Sequence, residues 1–302
     1  MRSLDNIPAS VYKILIVVAT IIWGFSFVVM KDLVTVFPPA WLLGVRFLLA
    51  GGILLAIIWK HVRRTCTRQA ILAGIALGAF DFAAFLAQTV GLQHTTPGIN
   101  AFLTATYCVI VPFLWWLIAR RRPTVFNIGA AVIAVIGIWL VSSNSSSESF
   151  AMGLGEAMTL LGAFLFALHM VYVSKFARKN DVLVLTVVQF ISEGAFGIIV
   201  GGFTETPPAL ALVTPEIVGS LLFLSVFASV IAFGIQNLAL AHIPPSQGAL
   251  LLSLESVFGV VFSVLLYGEL VTLRLLAGFA LIFVAIVISE VFPLKPKQPA
   301  QP

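Results

Sequence analysis

Long apolar segments alternate with short polar connectors along the whole chain. A membrane-spanning helix needs about 20 mostly apolar residues, with a usual range of roughly 17–25. Proline pairs, glycine and one serine-rich stretch interrupt the apolar pattern and mark the connectors. The pattern therefore predicts an all-α polytopic membrane protein with ten transmembrane helices. The ten segments are 12–32, 40–59, 69–92, 97–119, 124–141, 151–173, 182–202, 216–240, 246–267 and 272–291.

The amino-acid composition indicates which medium surrounds these helices. Apolar residues make up 60% of the 302-residue chain, charged residues only 10%, and the mean hydropathy is +1.10. A soluble domain carries about 25% charged residues, so lipid is the expected surroundings. The first apolar stretch follows Lys13 and continues into Lys31 and Asp32 without a small-residue cleavage site. We interpret it as a retained span and not as a secretory signal.

Basic residues are concentrated on one side of this topology. The net charge is +5, but the basic residues lie in connectors between apolar segments, which argues against nucleic-acid binding. Because positive connectors stay in the cytoplasm, we expect both termini to be cytoplasmic, in a plasma or inner cell membrane. Of 17 Lys and Arg, 14 fall on that side. They are Arg2, Lys13, Lys60, Arg63, Arg64, Arg68, Arg120, Arg121, Arg122, Lys175, Arg178, Lys179, Lys295 and Lys297.

A repeat relates the two halves of the chain. Residues 84–109 match residues 232–257 without a gap at nine of 26 positions, including the pairs Gln88/Gln236 and Pro97/Pro245. These matches place the third and fourth spans on the eighth and ninth. Five spans separate the equivalents, and an odd number reverses the direction of insertion. The pattern predicts two inverted five-helix repeats around a central cavity, which is typical of secondary transporters.

The repeat divides the chain into four parts. We expect the first repeat at 1–141 and an extracytoplasmic linker at 142–150. The second repeat follows at 151–291, and a disordered cytoplasmic tail at 292–302 completes the chain.

Three stretches are distinctive in this setting. They are "WGFSFVVMK" (23–31), the interval from Pro39 to Arg46, and "LESVFGVVFSVLLYGE" (254–269). Together with the two five-span halves, they resemble the first-, second- and ninth-span motifs of the EamA family of the drug/metabolite transporter superfamily. Ser256 stands where that ninth-span motif often has proline. The resemblance implies a basket of helices around a substrate cavity, with the fifth and tenth spans at the periphery.

Charged residues near the middle of spans are candidates for function. A central charge costs about 2.5–3.5 kcal/mol on insertion scales, so such residues usually face a cavity or a partner. Three acids, Asp81, Glu193 and Glu255, meet two plausible bases, Arg46 and Lys31, so at least one acid lacks a counter-charge. Burial then favours the protonated carboxyl, which suits proton coupling and equally a neutral hydrogen-bonding role. We expect Glu255 to face the cavity, beside Arg46 or Lys31 or protonated.

Polar and aromatic side chains also share helical faces in both halves. Helical spacing puts residues three or four apart on one face, and several of these positions correspond through the repeat. Glu255, for example, is the repeat equivalent of Tyr107. With the charged residues, the candidates for substrate binding or coupling are Trp23, Arg46, Asp81, Phe85, Gln88, Asn100, Thr104, Tyr107, His169, Glu193, Ser229, Gln236 and Glu255.

Several candidates also have a purely structural interpretation. Gln88 and Gln236 can hydrogen-bond neighbouring helices, and Arg46 can act as a fixed counter-ion. His169 can be a satisfied buried histidine, and Trp23 can serve packing alone. The residue types do not decide between these interpretations.

The sequence predicts a secondary transporter that exports small organic metabolites, such as amino acids or related amphipathic solutes, by alternating access. Proton coupling is left open. The chain has no G-x-x-x-x-G-K-[ST] loop, no H-E-x-x-H motif and no persuasive nucleophile–base pair, so we expect no enzyme activity. The alternative is a membrane scaffold or regulatory subunit that transports nothing. Matched polar faces argue against it, because a scaffold needs no polar midplane.

Expected partners follow from this interpretation. They are a small-molecule substrate, the lipid bilayer and, if transport is coupled, protons. We expect no cofactor, no metal ion and no nucleic acid, and we leave homodimer formation open.

The topology is testable with accessibility probes. We expect probes after Ser145 and Thr206 to report the outside, and probes near Arg64, Arg121 and Lys179 to report the cytoplasm, because basic connectors remain inside. Membrane-impermeant labelling of intact cells measures this. A cytoplasmic signal at Ser145 would contradict both the ten-span topology and the inverted repeat.

Overall fold

The computed structural model describes residues 8–119, 122–142, 152–177, 179–240 and 251–292, and within these ranges helices alternate with short connectors and no strand occurs. The α-helices are α1 (Ala9–Leu33), α2 (Pro39–Thr65), α3 (Arg68–Gln93), α4 (Pro97–Ala105), α5 (Tyr107–Ala119), α6 (Val125–Ser142), α7 (Leu154–Phe176), α8 (Val182–Thr204), α9 (Pro215–Phe223), α10 (Ala232–Leu240), α11 (Leu254–Phe262) and α12 (Leu273–Val291).

Among the described residues, nine helical stretches are long and apolar enough to cross a membrane. This confirms the prediction of an all-α polytopic membrane protein. The ninth predicted span, 246–267, begins outside the described residues, and its described part contains a shorter apolar helix, Leu254–Tyr267. The predicted linker, 142–150, and the predicted tail, 292–302, lie outside the described residues except for their first residues.

Proline and polar side chains determine where several helices begin. Pro39 and Pro97 occupy the first positions of α2 and α4, where no intrahelical hydrogen bond is lost. Thr67 and Asp181 cap α3 and α8 by accepting hydrogen bonds from backbone N–H groups of the first turn. These caps satisfy donors that a helix end otherwise leaves unpaired.

Two helices are interrupted at nearly equivalent positions of the sequence repeat. Thr106 separates α4 from α5, and both its N–H and its hydroxyl bond to the carbonyl of Leu103, at 3.2 and 2.6 Å. At the start of α11, the N–H and hydroxyl of Ser256 both bond to the carbonyl of Ser253, the residue before the helix, at 3.2 and 2.8 Å. In both places a tight turn with a side-chain hydroxyl replaces regular α-helical bonding.

Two π-helical segments depart from regular geometry in the second half. The segment Leu224–Ile231 joins α9 to α10, and the segment Ser263–Tyr267 follows α11. π-Helical segments are rare in proteins overall, and those that occur are often found at functional sites.

The helices form pairs. α2 packs along α8, α3 packs along α7 and α8, and α6 packs along α12. α1 contacts α10 and α11, while α4 contacts α7 and α11. Because α6 and α12 pack mainly against each other, this pair lies at the edge of the bundle.

Glycines permit the closest of these contacts. A Cβ atom on Gly197 of α8 would lie 2.5 Å from the backbone nitrogen of Gly44 in α2. In the outer pair, a Cβ atom on Gly137 or Gly278 would lie 3.0 or 3.1 Å from the carbonyl oxygen of the other glycine. Small residues let helix backbones approach in this way when lipid provides no hydrophobic driving force.

The contact between α2 and α8 can be tested by adding a single methyl group. We expect Gly197→Ala to lower the thermal unfolding temperature of the purified protein, since its Cβ meets the backbone of Gly44 and overpacking costs about 1–3 kcal/mol. Gly202→Ala, one turn further along α8, is the matched control because a Cβ there meets no atom within 4 Å. Equal unfolding temperatures for the two variants would contradict the close contact.

Candidate functional site

Three charged side chains meet inside the helix bundle. Arg46 of α2 and Asp81 of α3 are each 1% exposed, and Glu193 of α8 is 0% exposed. Gln189 donates from Nε2 to Oδ2 of Asp81 at 2.6 Å, and His169 Nδ1 of α7 lies 3.5 Å from Oδ1 of the same carboxyl. Four helices thus contribute to one cluster, which we call the buried carboxyl cluster.

Arg46 is held by polar and aromatic neighbours. Its Nε donates to the hydroxyl of Ser229, in the π-helical segment after α9, at 3.1 Å. The guanidinium carbon lies 4.7 Å from the ring centre of Phe47 and 5.2 Å from that of Phe85. The positive charge also interacts electrostatically with Glu193 and Asp81. The sequence named Arg46, Phe85 and Ser229 separately, and the structure brings them together.

Glu193 has an unusual hydrogen-bonding situation. Both of its carboxyl oxygens are buried and neither accepts a hydrogen bond from a described residue. The carboxyl of Glu193 interacts electrostatically with that of Asp81, and Gln189, which donates to Asp81, lies one turn before Glu193 on α8. Buried polar atoms are nearly always paired, so two oxygens without a donor on one buried carboxyl are unusual.

A second group of candidates forms an uncharged polar network. Gln88 of α3 donates from Nε2 to the hydroxyl of Thr104 in α4 at 3.0 Å. Asn100 of α4 donates from Nδ2 to the carbonyl of Gln88 at 3.2 Å and to the hydroxyl of Thr159 in α7 at 2.7 Å. All four side chains are buried. In this conformation they connect α3, α4 and α7. Gln88 therefore has the helix-bonding role that was one of its two interpretations from the sequence.

A narrow cavity of about 40 Å³ reaches the buried carboxyl cluster. It runs between α3, α7, α8 and α10, from Ala177 and Val182 at one end of the bundle to His169, Gln189 and Gln236. This volume holds a few water molecules but no organic solute. Gln236 therefore lines a space, unlike its repeat equivalent Gln88.

Glu255 lies apart from the buried carboxyl cluster. It is half-buried in the first turn of α11, directly after the interruption at Ser253. It interacts electrostatically with Tyr107, the first residue after the matching interruption. The two candidates that the repeat equates are thus linked electrostatically, and the helices α4 and α11 beside the two interruptions are in contact.

Neither of the expected bases faces Glu255. Arg46 belongs to the buried carboxyl cluster, and Lys31 donates from Nζ to the carbonyls of Leu92, Gln93 and Thr95 at 2.6, 3.2 and 2.8 Å. These carbonyls end α3, where a positive charge is favourable. Both bases are therefore held elsewhere, and neither pairs with Glu255 in this conformation.

Trp23 is buried and serves helix packing in this conformation. Its indole N–H donates to the carbonyl of Ala228 at 2.7 Å, and its ring meets Phe233 edge-on with centroids 5.4 Å apart. The hydrogen bond joins α1 to the π-helical segment that also carries Ser229.

Sequence reasoning missed three residues of these sites. Gln189 precedes Glu193 by four residues, so helical spacing alone places both on one face. Thr159 had no comparable signal. Glu269 follows the ninth predicted span, 246–267, in a connector, but it is 7% exposed. Its carboxylate accepts from the hydroxyls of Thr96 and Ser263 and from the N–H of Gly98.

Glu269 and Lys31 close the end of the bundle opposite the narrow cavity. Glu269 ties the start of α4 to the segment after α11, and Lys31 ties α1 to the end of α3.

A larger, wholly apolar groove of about 480 Å³ lies beside α6 and α7, around Trp139 and Leu160. It contains none of the candidate residues. Within the described ranges, no three His, Cys, Asp or Glu residues are placed to hold a metal ion.

Comparison with known proteins identifies the class. The profile of the EamA-like transporter family matches residues 11–143 and again residues 153–290. An uncharacterized transporter from Archaeoglobus fulgidus is 26% identical over 270 residues, covering 89% of this chain and 82% of that protein. A probable amino-acid metabolite efflux pump from Salmonella typhimurium is 25% identical over 287 residues, covering 91% and 93%. One solved crystal structure has a similar fold, with a TM-score of 0.64 at 14% identity, covering 93% of this chain and 96% of its own.

The apolar helices and the two family matches define a multi-pass membrane transporter. The chain belongs to the EamA-like transporter family. Members of this family are transporters and not enzymes, which confirms both the family resemblance and the absence of enzyme activity inferred from the sequence.

The different surroundings of Gln88 and Gln236 give a direct test. In a variant with Cys66 and Cys108 replaced by serine, we expect Gln236→Cys to react with small water-soluble thiol reagents and Gln88→Cys to react at least tenfold more slowly. The reason is that Gln236 lines the narrow cavity, whereas Gln88 is buried against Thr104. Labelling rates in proteoliposomes measure this, and equal rates would contradict it.

Proposed function

We propose that this protein is a secondary transporter that moves a small organic solute by alternating access across the plasma or inner cell membrane, with both termini in the cytoplasm. The observation that carries the proposal is the double match to a transporter family over almost the whole chain. Buried polar groups at mid-depth support it, because such groups are costly in lipid unless they serve binding or coupling.

The helix contacts support an inverted relation between the halves. With the spans numbered in order, α2 and α8 are the second and seventh, and α6 and α12 are the fifth and tenth. Each of these pairs consists of repeat equivalents in contact. The contact of the third span with the sixth, α3 with α7, has its counterpart in that of the eighth with the first, α10 with α1. A pseudo-two-fold axis in the membrane plane exchanges contacts in this manner.

The substrate site is proposed at the two interrupted helices. Helix interruptions near the middle of the membrane, at the interface between repeats, form the substrate sites of many transporters. Here Tyr107 and Glu255 follow the interruptions and interact with one another. We assign Glu255, as a neutral carboxyl, to hydrogen bonding of the substrate.

The conformation corresponds to a closed outer side. The charge distribution favours a cytoplasmic position for the end at Ala177 and Val182, and these two residues line the narrow cavity. The contacts of Glu269 and Lys31 hold the opposite end together. Outward release of substrate requires these contacts to separate.

The substrate class is proposed from two observations. Tyr107 near Glu255 offers an aromatic surface beside a hydrogen-bonding carboxyl, which suits amino acids and related amphipathic metabolites. The relative from Salmonella typhimurium is named a probable amino-acid metabolite efflux pump, which favours export. A scaffold that transports nothing is the second candidate, and it differs in having no solute flux of its own.

Counterflow in proteoliposomes tests the transport function. Vesicles loaded with one unlabelled metabolite from a panel of amino acids and amphipathic metabolites receive the same labelled metabolite outside. We expect transient accumulation above equilibrium for at least one member of the panel. Vesicles without protein are the control. An absence of counterflow across the whole panel in folded, correctly inserted protein would favour the scaffold.

Glu255→Gln tests the assigned role of the carboxyl. Glutamine keeps the size and hydrogen-bonding capacity but removes the ionisable group, so we expect intact folding and a weaker apparent affinity by roughly tenfold, the effect of about 1.4 kcal/mol. The pH dependence of transport should stay as in the wild type. Substrate titration of counterflow at several pH values measures both quantities. Unchanged affinity, or a lost pH dependence, would contradict a substrate-binding role.

A further inference from the structure

We propose that Asp81 and Glu193 share one proton, and that this carboxyl pair is the proton-binding site of the transporter, reached from the cytoplasmic end through the narrow cavity. The proton-binding part stands on the geometry of the buried carboxyl cluster. The coupling part rests on the proposed transport function.

Hydrogen-bond accounting is the first step. Asp81 receives a hydrogen bond from Gln189 and faces His169, whereas neither oxygen of Glu193 has a donor in the described part of the chain. Two ionised carboxylates can only accept hydrogen bonds. A proton on either carboxyl turns their contact into an O–H···O hydrogen bond and supplies the missing donor.

Charge counting gives the same stoichiometry. The charged or titratable groups facing the pair are Arg46 from α2 and His169 from α7, while the π-helical segment brings the uncharged Ser229 and α10 the uncharged Gln236. Among the described residues Arg46 is the permanently charged base beside the pair, and one shared proton leaves the pair a single negative charge that Arg46 balances. Two ionised carboxylates would need a second buried cation, and an unbalanced buried charge is far costlier.

The narrow cavity gives the pair a route for protons. His169 and Gln189 line this cavity, and both contact Asp81. Nε2 of His169 is buried and has no hydrogen-bond partner among the described residues. An imidazole can take up a proton on Nε2 and release one from Nδ1 to the carboxyl 3.5 Å away. Its charge is then unchanged and its tautomer is switched, and a return of the proton or a flip of the ring resets it. The small volume excludes an organic solute from this route.

The position of the pair connects protonation to movement between the halves. Asp81 belongs to the first half and Glu193 to the second, and Arg46 is bonded to Ser229 of the second half. A change in the relative position of the halves alters the distance between Arg46 and the carboxyls. If Arg46 approaches, the pair releases its proton, and if Arg46 withdraws, the pair retains it.

Infrared spectroscopy of the full-length protein in lipid vesicles tests the shared proton without any substrate. A protonated carboxylic acid has a C=O stretching band distinct from that of a carboxylate, and the band shifts in heavy water. We expect one component of this band to be present at pH 7 in the wild type and to be lost in both Glu193→Gln and Asp81→Asn. Loss in both is expected because the remaining carboxyl ionises beside Arg46.

The matched control is Glu255→Gln, which removes a carboxyl outside the buried carboxyl cluster and should leave this component in place. A component that persists in Glu193→Gln and Asp81→Asn, or disappears in only one of them, would overturn the shared proton. Both replacements are isosteric, and circular dichroism of each variant verifies folding.

The coupling of proton binding to transport is measured separately, with a substrate that counterflow has identified. In Glu193→Gln, accumulation driven by a pH gradient should fall to the level of the no-gradient control, while exchange without a gradient stays within about twofold of the wild type. Retained gradient-driven accumulation would overturn the coupling role. If counterflow fails for the wild type while the infrared component behaves as expected, the transport proposal fails and the proton site stands.

Discussion

The structure depends on one constraint, the need of every backbone polar group in lipid to be satisfied within the protein. Uninterrupted helices meet this need, so the apolar stretches between connectors fold as helices. The interruptions at Thr106 and Ser253 are tolerated because hydroxyl groups of Thr106 and Ser256 supply additional local bonds. Each interruption leaves backbone groups without helical partners. The two interruptions lie beside the contact between α4 and α11, where neighbouring helices shield these groups from lipid.

The same constraint explains how the charged residues are distributed. Lys31 and Glu269 lie close to helix ends, where Lys31 donates to three backbone carbonyls and Glu269 accepts from the N–H of Gly98 and from two side-chain hydroxyls. Arg46 lies deeper and reaches no helix end, so its partners are side chains and aromatic rings. A charged residue near a helix end thus hydrogen-bonds to unpaired backbone groups there, whereas one deeper in the membrane interacts with other side chains.

The spans could be predicted from the sequence because hydropathy and length act locally. The partners of the polar residues could not, because they depend on which helices touch. Charge counting gave Glu255 three alternatives, namely Arg46, Lys31 or a protonated carboxyl, but close packing at Gly44 and Gly197 brings α2 against α8 and therefore Arg46 toward Glu193. Gln189 was predictable from its spacing to Glu193, whereas Thr159 requires knowledge that α7 lies beside α3 and α4.

The glutamate in the apolar ninth span and the carboxyl pair occupy different physical situations. Glu255 is half-buried beside an interruption, and neither Arg46 nor Lys31 pairs with it, so in the proposed role its carboxyl exchanges hydrogen bonds with a solute. Asp81 and Glu193 are sealed among Arg46, Gln189 and His169, next to a space that admits only water. A site that binds solutes must be accessible and adaptable, whereas a site that binds protons must be sealed and electrically balanced. Separate carboxyls in separate surroundings satisfy both requirements, which a single carboxyl in either place does not.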